Sequence, residues 1–130
     1  ESLVEFWGYQ NKMYEILPKA SVIVLPSYRE GLPKILIEAA ACGRPVITTD
    51  VPGCRDAIIE GKTGLLVPPK DSYALSNAIE SLLLDRPKLH KLGIAGSKLA
   101  EQKFDINNVV STHLKTYNSL LFTDSSSFFE

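Results

Sequence analysis

Ser21-Val22-Ile23-Val24-Leu25-Pro26-Ser27-Tyr28-Arg29-Glu30-Gly31-Leu32-Pro33-Lys34-Ile35-Leu36-Ile37-Glu38-Ala39-Ala40-Ala41-Cys42-Gly43 decides the fold, because it reads as strand, loop and buried helix in succession. The run 21–25 is continuously apolar and β-branched, the mark of a strand covered on both faces, and such strands belong to parallel sheets. After Pro26 the polar loop 27–31 leads to a helix over about 32–42, with Pro33 in its first turn and Gly43 as its C-terminal glycine. Leu32, Ile35, Leu36, Ile37, Ala39, Ala40 and Ala41 make that helix apolar on nearly every side, so it is expected to pack inside the domain.

Outward from this core the same alternation continues. Upstream, Val4-Glu5-Phe6-Trp7 is β-prone and stopped by Gly8, and 11–17 carries apolar residues at helical spacing up to Pro18. Downstream, Pro45-Val46-Ile47-Thr48-Thr49 is the next strand. Asp50-Val51-Pro52-Gly53 is a turn into a short helix near 55–59, and Gly64-Leu65-Leu66-Val67 is the last strand. Asp71 is the expected N-cap of a helix over 73–84, followed by helices over about 87–103 and 106–121 and a frayed tail over 123–130. The class is α/β: a Rossmann-like parallel sheet with flanking helices and a helical C-terminal end, residues 1–122 forming one unit. Ligands of such sheets sit beyond the carboxyl ends of the strands, where the 27–31 loop falls.

Composition excludes several functions. The 130 residues are 45% hydrophobic and 22% charged, enough apolar material for a core. Lys plus Arg number 14 against 15 Asp plus Glu, with no dense basic tract, so no nucleic-acid partner is expected. No apolar run approaches the roughly 20 residues that span a bilayer, and nothing at the start resembles a secretion signal. Cys42 and Cys54 are too few for a disulfide framework and are read as reduced, partly buried thiols; His90 and His113 are read as surface residues. A receiver-domain reading fails for want of an acidic pocket, since Asp50 stands alone.

Two carboxylates in the deciding stretch ask for an explanation. Glu38 falls in the middle of a helix expected to be buried, where an unpartnered charge costs several kcal/mol, so it must face a rim, a cation or hydrogen-bond donors. Lys34, one turn earlier, offers a pair worth about 0.2–0.5 kcal/mol; a pair of ligand hydroxyls, as on a ribose, is the alternative. The helix start suits a diphosphate, because its first amides lack intrahelical partners and the helix dipole is positive there. Pro33 removes one amide and leaves those of Lys34, Ile35 and Leu36 as expected donors, while Gly31 lets a ligand approach the backbone. Glu30 would repel phosphate; it suits a polyol or an oxocarbenium-like centre, although a carboxylate favoured by the dipole at a helix entry, worth about 0.3–1 kcal/mol, is the plainer account.

The series Pro26-Ser27-Tyr28-Arg29-Glu30-Gly31-Leu32-Pro33, then Leu36-Ile37-Glu38-Ala39-Ala40-Ala41-Cys42-Gly43-Arg44-Pro45-Val46-Ile47, resembles the E-x7-E region of family 4 (group 1) glycosyltransferases, which have the GT-B fold. The likeness continues through Asp50-Val51-Pro52-Gly53, Gly61-Lys62-Thr63-Gly64 and Asp71, covering roughly 4–121. It implies a retaining hexosyltransferase that moves a hexose from a nucleotide diphosphate sugar to a glycan or lipid-linked acceptor in surface polysaccharide synthesis, by a same-face mechanism with no cofactor and no required metal. The absence of an Asp-x-Asp motif agrees. It implies that Glu30 stabilises charge at the anomeric centre, that the Gly31 and Leu32 backbone meets the sugar, that the amides after Pro33 (Lys34, Ile35, Leu36) meet the diphosphate, that Glu38 holds the ribose, and that Gly8 and Tyr9 lie near the nucleobase, although a structural Tyr9 is the plainer account. A cytoplasmic place, peripheral to the inner face of the membrane, follows from the same likeness. The resemblance covers only the latter part of a GT-B C-terminal domain, and no residue corresponds to the family's basic pair. The chain alone is therefore expected to be an inactive donor-binding fragment that self-associates through an exposed sheet edge, or else a non-catalytic nucleotide-sugar-binding or pairing module.

Overall fold

In the computed structural model, which describes the backbone of residues 2–123 and the side chains of residues 2–119, three parallel strands lie in the order β1 (Ile23–Leu25), β2 (Val46–Thr49), β3 (Gly64–Val67). Ile23 is level with Val46 and Leu25 with Thr48; on the other side Val46 is level with Gly64 and Thr49 with Val67. Successive side chains of β2 point to opposite faces, and each face builds its own core. Val46 packs with Leu36, Ala39, Val51, Cys54, Ala57 and Ile58. Ile47 packs with Val67, Leu82 and Leu92 on the other side. Helices α2 (Lys34–Ala41) and α3 (Pro52–Ala57) thus cover one face and α4 (Ser72–Leu84) the other, with α5 (Arg86–Phe104) leaning on both α4 and α2.

The expected parallel α/β architecture is present, with three differences. The β1 residues are only half-buried, whereas all four of β2 are buried. Those of β1 still pack against the cores on both faces, Ile23 and Leu25 on one and Val24 on the other, while among the described residues nothing pairs with the outer edge of β1. The run Val4-Glu5-Phe6-Trp7 is exposed and forms no strand, because β-prone residues become a strand only against a partner. The helix expected over 11–17 is one short turn, α1 (Met13–Ile16), continued by a 3-10 turn (Leu17–Lys19) that accommodates Pro18 near its start, where a missing amide costs nothing.

Helix ends follow their local chemistry. The Asp71 carboxylate accepts from the Ala74 amide at 2.9 Å and Asp85 from the Lys88 amide at 3.0 Å, so both α4 and α5 begin on an acidic cap. α3 begins at Pro52, earlier than the turn read there, because Pro suits a first helical position. α6 (Ile106–Thr123) is the last helix among the described residues, and the tail expected from 123 lies, apart from Thr123, outside them. Among the described residues no helix is long and apolar enough to cross a membrane.

Candidate donor site

α2 is set by β1 before it and β2 after it, and its start faces the carboxyl end of the sheet. Pro33 is its N-cap rather than part of its first turn, with φ −72° and ψ 114°. That extended geometry brings the Pro33 carbonyl under the Leu36 amide, which donates to it at 3.1 Å. The Leu36 amide, expected to be free, is thus occupied, and the Leu36 side chain is fully buried in the core. Lys34 and Ile35 hold the two remaining first-turn amides, which have no intrahelical acceptor. Gly31 and Leu32 are exposed just before them, and a Cβ at Gly31 would meet open space.

Glu38 is not buried as the apolar helix suggested. Its side chain is 35% exposed and its Oε1 lies 3.5 Å from Lys34 Nζ, whose side chain is 88% exposed. The helix presents Lys34, Ile35, Glu38, Ala41 and Cys42 along one wall of a cleft of about 620 Å³, opposite Tyr9, Gln10, Asn11 and Tyr14. Of the residues read as donor-binding, this cleft unites Lys34, Ile35 and Glu38, and it adds Tyr9. Gln10, Asn11 and Tyr14 carried no signal beyond their place after Gly8. Cys42 and Cys54 are free thiols, the latter fully buried.

Glu30 stands outside that cleft, exposed on the loop that enters α2. Ser27 Oγ donates to Glu30 Oε1 at 2.7 Å. Ser27 is held in turn by β2: Thr48 Oγ1 donates to the Leu25 carbonyl at 2.8 Å, and Thr49 Oγ1 donates to the Ser27 carbonyl. Pro26, lacking an amide, cannot donate to the ladder beyond β1, and the two threonine hydroxyls instead bond the carbonyls on either side of it, those of Leu25 and Ser27. On its other side the loop rests on α3, where a Cβ at Gly53 would overlap the Gly31 carbonyl and stand 2.5 Å from the Glu30 carbonyl oxygen. The sequence signalled none of this except by two hydroxyls at the end of a strand that otherwise reads as apolar.

A second cleft, of about 370 Å³, opens where the strands end, between Pro26 and Tyr28 after β1, Thr49 of β2 and Val67 of β3. Lys70, with φ +59°, borders it and carries its ammonium 5.5 Å from the Tyr28 ring centre. After β2, Arg55 Nε meets Asp50 Oδ1 at 2.6 Å, and the Asp50 hydrogen bond and charge raise the Arg55 guanidinium above its ordinary pKa.

The chain resembles known proteins over most of its described length. The family model described as "Glycosyl transferases group 1" matches residues 1–99. The N,N'-diacetylbacillosaminyl-diphospho-undecaprenol alpha-1,3-N-acetylgalactosaminyltransferase of Campylobacter jejuni is 34% identical over 119 residues, 91% of this chain and 31% of its own length. The sucrose-phosphate synthase of Thermosynechococcus elongatus superposes with a TM-score of 0.75 at 38% identity, over 80% of this chain and 26% of that one. Anabaena Alr3699/HepE, solved in complex with UDP-glucose, superposes at 0.85 with 24% identity over 92% of this chain and 33% of that one, a likeness of fold. The chain thus spans about a third or less of the length of these relatives. With the family model matching most of its length and relatives of this identity, it belongs to the group 1 glycosyltransferase family.

Proposed function

We propose that the chain is the donor-binding part of a retaining family 4 hexosyltransferase, which transfers a hexose from a nucleotide diphosphate sugar to a glycan or lipid-linked acceptor in surface polysaccharide synthesis. One observation carries this reading: the open first turn of α2 lies between a held carboxylate, Glu30, and a half-exposed carboxylate, Glu38, that lines a cleft with Tyr9. The diphosphate binds the Lys34 and Ile35 amides, where the helix dipole adds to two unpaired donors. Gly31 and Leu32 meet the sugar hydroxyls through their backbone. Glu38 turns from Lys34 to the ribose diol, and Tyr9 borders the base. Glu30 lies on the sugar side of the phosphates and stabilises positive charge at the anomeric carbon as the glycosidic bond breaks.

The C. jejuni relative, whose name puts its acceptor on diphospho-undecaprenol, favours a lipid-linked acceptor and a place at the cytoplasmic face of the membrane. The UDP-glucose held by the Anabaena neighbour favours a uridine diphosphate sugar. No metal is required in this scheme, because amides, the helix dipole and basic groups from the rest of the protein meet the diphosphate charge. Acceptor binding and those basic groups belong to the two thirds of such a protein that this chain does not span.

The test uses the natural protein that carries this chain. Glu38→Ala loses two hydrogen bonds to a charged group, and UDP binding by calorimetry weakens about tenfold or more. Glu30→Gln leaves UDP affinity within about twofold and lowers turnover of the preferred nucleotide sugar by about a hundredfold. Equal UDP affinity in wild type and Glu38→Ala removes Glu38 from the ribose, and full turnover by Glu30→Gln removes Glu30 from the chemistry.

A further inference from the structure

We infer that Ser27, Thr49 and Gly53 are positioning residues for Glu30, forming a three-point clamp that fixes its carboxylate before donor arrives. The inference deepens the proposed function and rests on the reading that Glu30 faces the donor sugar.

Glu30 is exposed on a loop, and an exposed glutamate samples many rotamers, each shared among three torsions. A carboxylate meant to stabilise a developing cation acts best when its place is set in advance, since reorganisation during the reaction erodes the gain. Here the side chain is tied at its tip: Ser27 Oγ donates to Oε1 at 2.7 Å and leaves Oε2 for another partner. That tie is only as firm as Ser27 itself. Its carbonyl accepts from Thr49 Oγ1, and Thr49 is fully buried at the end of the central strand, so the serine is anchored to the core of the sheet.

The backbone of Glu30 is fixed from the opposite side. Gly53, in the first turn of α3, has no side chain where the Glu30 and Gly31 carbonyls pass, and any Cβ would push the loop outward. Gly53 has an ordinary φ, so its glycine is required by close approach rather than by backbone conformation. Strand β2 below and helix α3 behind therefore hold one loop between them. Neither Thr49 nor Gly53 need touch the donor; they act through Ser27 and through the loop.

The test is made on the natural protein with Ser27→Ala, Ser27→Thr, Thr49→Val and Thr49→Ser. Crystal structures without donor are expected to show one Glu30 rotamer in the wild type and in the hydroxyl-retaining Ser27→Thr and Thr49→Ser, and several in Ser27→Ala and Thr49→Val. Kinetics with the preferred nucleotide sugar are expected to show kcat about tenfold lower in Ser27→Ala at an unchanged KM for donor, restored by Ser27→Thr. A single wild-type rotamer of Glu30 in both Ser27→Ala and Thr49→Val overturns the clamp. So does an unchanged kcat in Ser27→Ala when Glu30→Gln has lost turnover. Full turnover by Glu30→Gln instead removes the catalytic role of Glu30, while the crystal structures still decide whether its carboxylate is clamped.

Discussion

Thr48 and Thr49 are neighbours in one strand, equally buried, and do different work. Thr48 closes the Leu25 carbonyl and Thr49 the Ser27 carbonyl, one inside the sheet and one beyond its end. Thr48→Val keeps the shape and removes the donor, leaving a carbonyl short of one partner; a loss of about 1 kcal/mol is expected in urea denaturation. Donor turnover by folded Thr48→Val stays at the wild-type level, because the hydroxyl touches only β1. A drop in its kcat as large as that expected for Ser27→Ala would mean that both threonines merely hold up the fold. Lys34 is the plainer case: its pair with Glu38 is 3.5 Å long at an exposed rim, so it adds little to stability and can yield to a ligand.

At the scale of elements, α2 and α5 meet through glycines that differ in kind. A Cβ on Gly93 would overlap the Gly43 carbonyl in the loop that ends α2, whereas a Cβ on Gly96 would sit 3.6 Å from the Ala40 Cβ, an ordinary contact. Gly93→Ala therefore forces the helices apart and is expected to cost about 1–3 kcal/mol. Gly96→Ala makes no clash and gains helix propensity of up to about 1 kcal/mol, so it is neutral or stabilising. Denaturant melts of the two variants separate these cases, and equal destabilisation would show that α5 is packed as tightly at Gly96 as at Gly93. Much of this scale was legible in the sequence. Periodicity, caps and glycine stops located α2, β2, β3, α4, α5 and α6 to within a few residues, because each signal is local. What escaped depended on distant partners: whether β1 has an outer neighbour, whether Val4-Glu5-Phe6-Trp7 finds a ladder, and that Gly53, read as a turn residue, lies against Glu30. In the site, the acidic pair and the open helix start could be read from residue type and spacing. That the Leu36 amide is taken depends on the backbone angle of Pro33, which no spacing encodes.

At the scale of the whole molecule, much of the exposed apolar surface among the described residues lies outside the sheet. The edge strand β1 is half-buried, and the large exposed side chains gather instead on the segment before α1, at Leu3, Phe6, Trp7 and Tyr9, and along α6. On α6, Ile106, Val109, Val110, Leu114 and Tyr117 recur at intervals of three and four and so share one helix face. An apolar stripe of this length in water is a liability unless something covers it. For the isolated 130-residue chain a second copy can supply that cover, and self-association through α6 is expected to grow with concentration. Light scattering across a concentration series measures it. Leu114→Glu, which puts a charge in the middle of the stripe, should return the chain to a monomer, while an equivalent charge on exposed Ser81 of α4 should not. A wild-type monomer at every concentration would show that the α6 stripe tolerates water. Association that survives Leu114→Glu would move the contact to another surface, with the open edge of β1 the next to test, since its unpaired backbone groups can still extend the ladder.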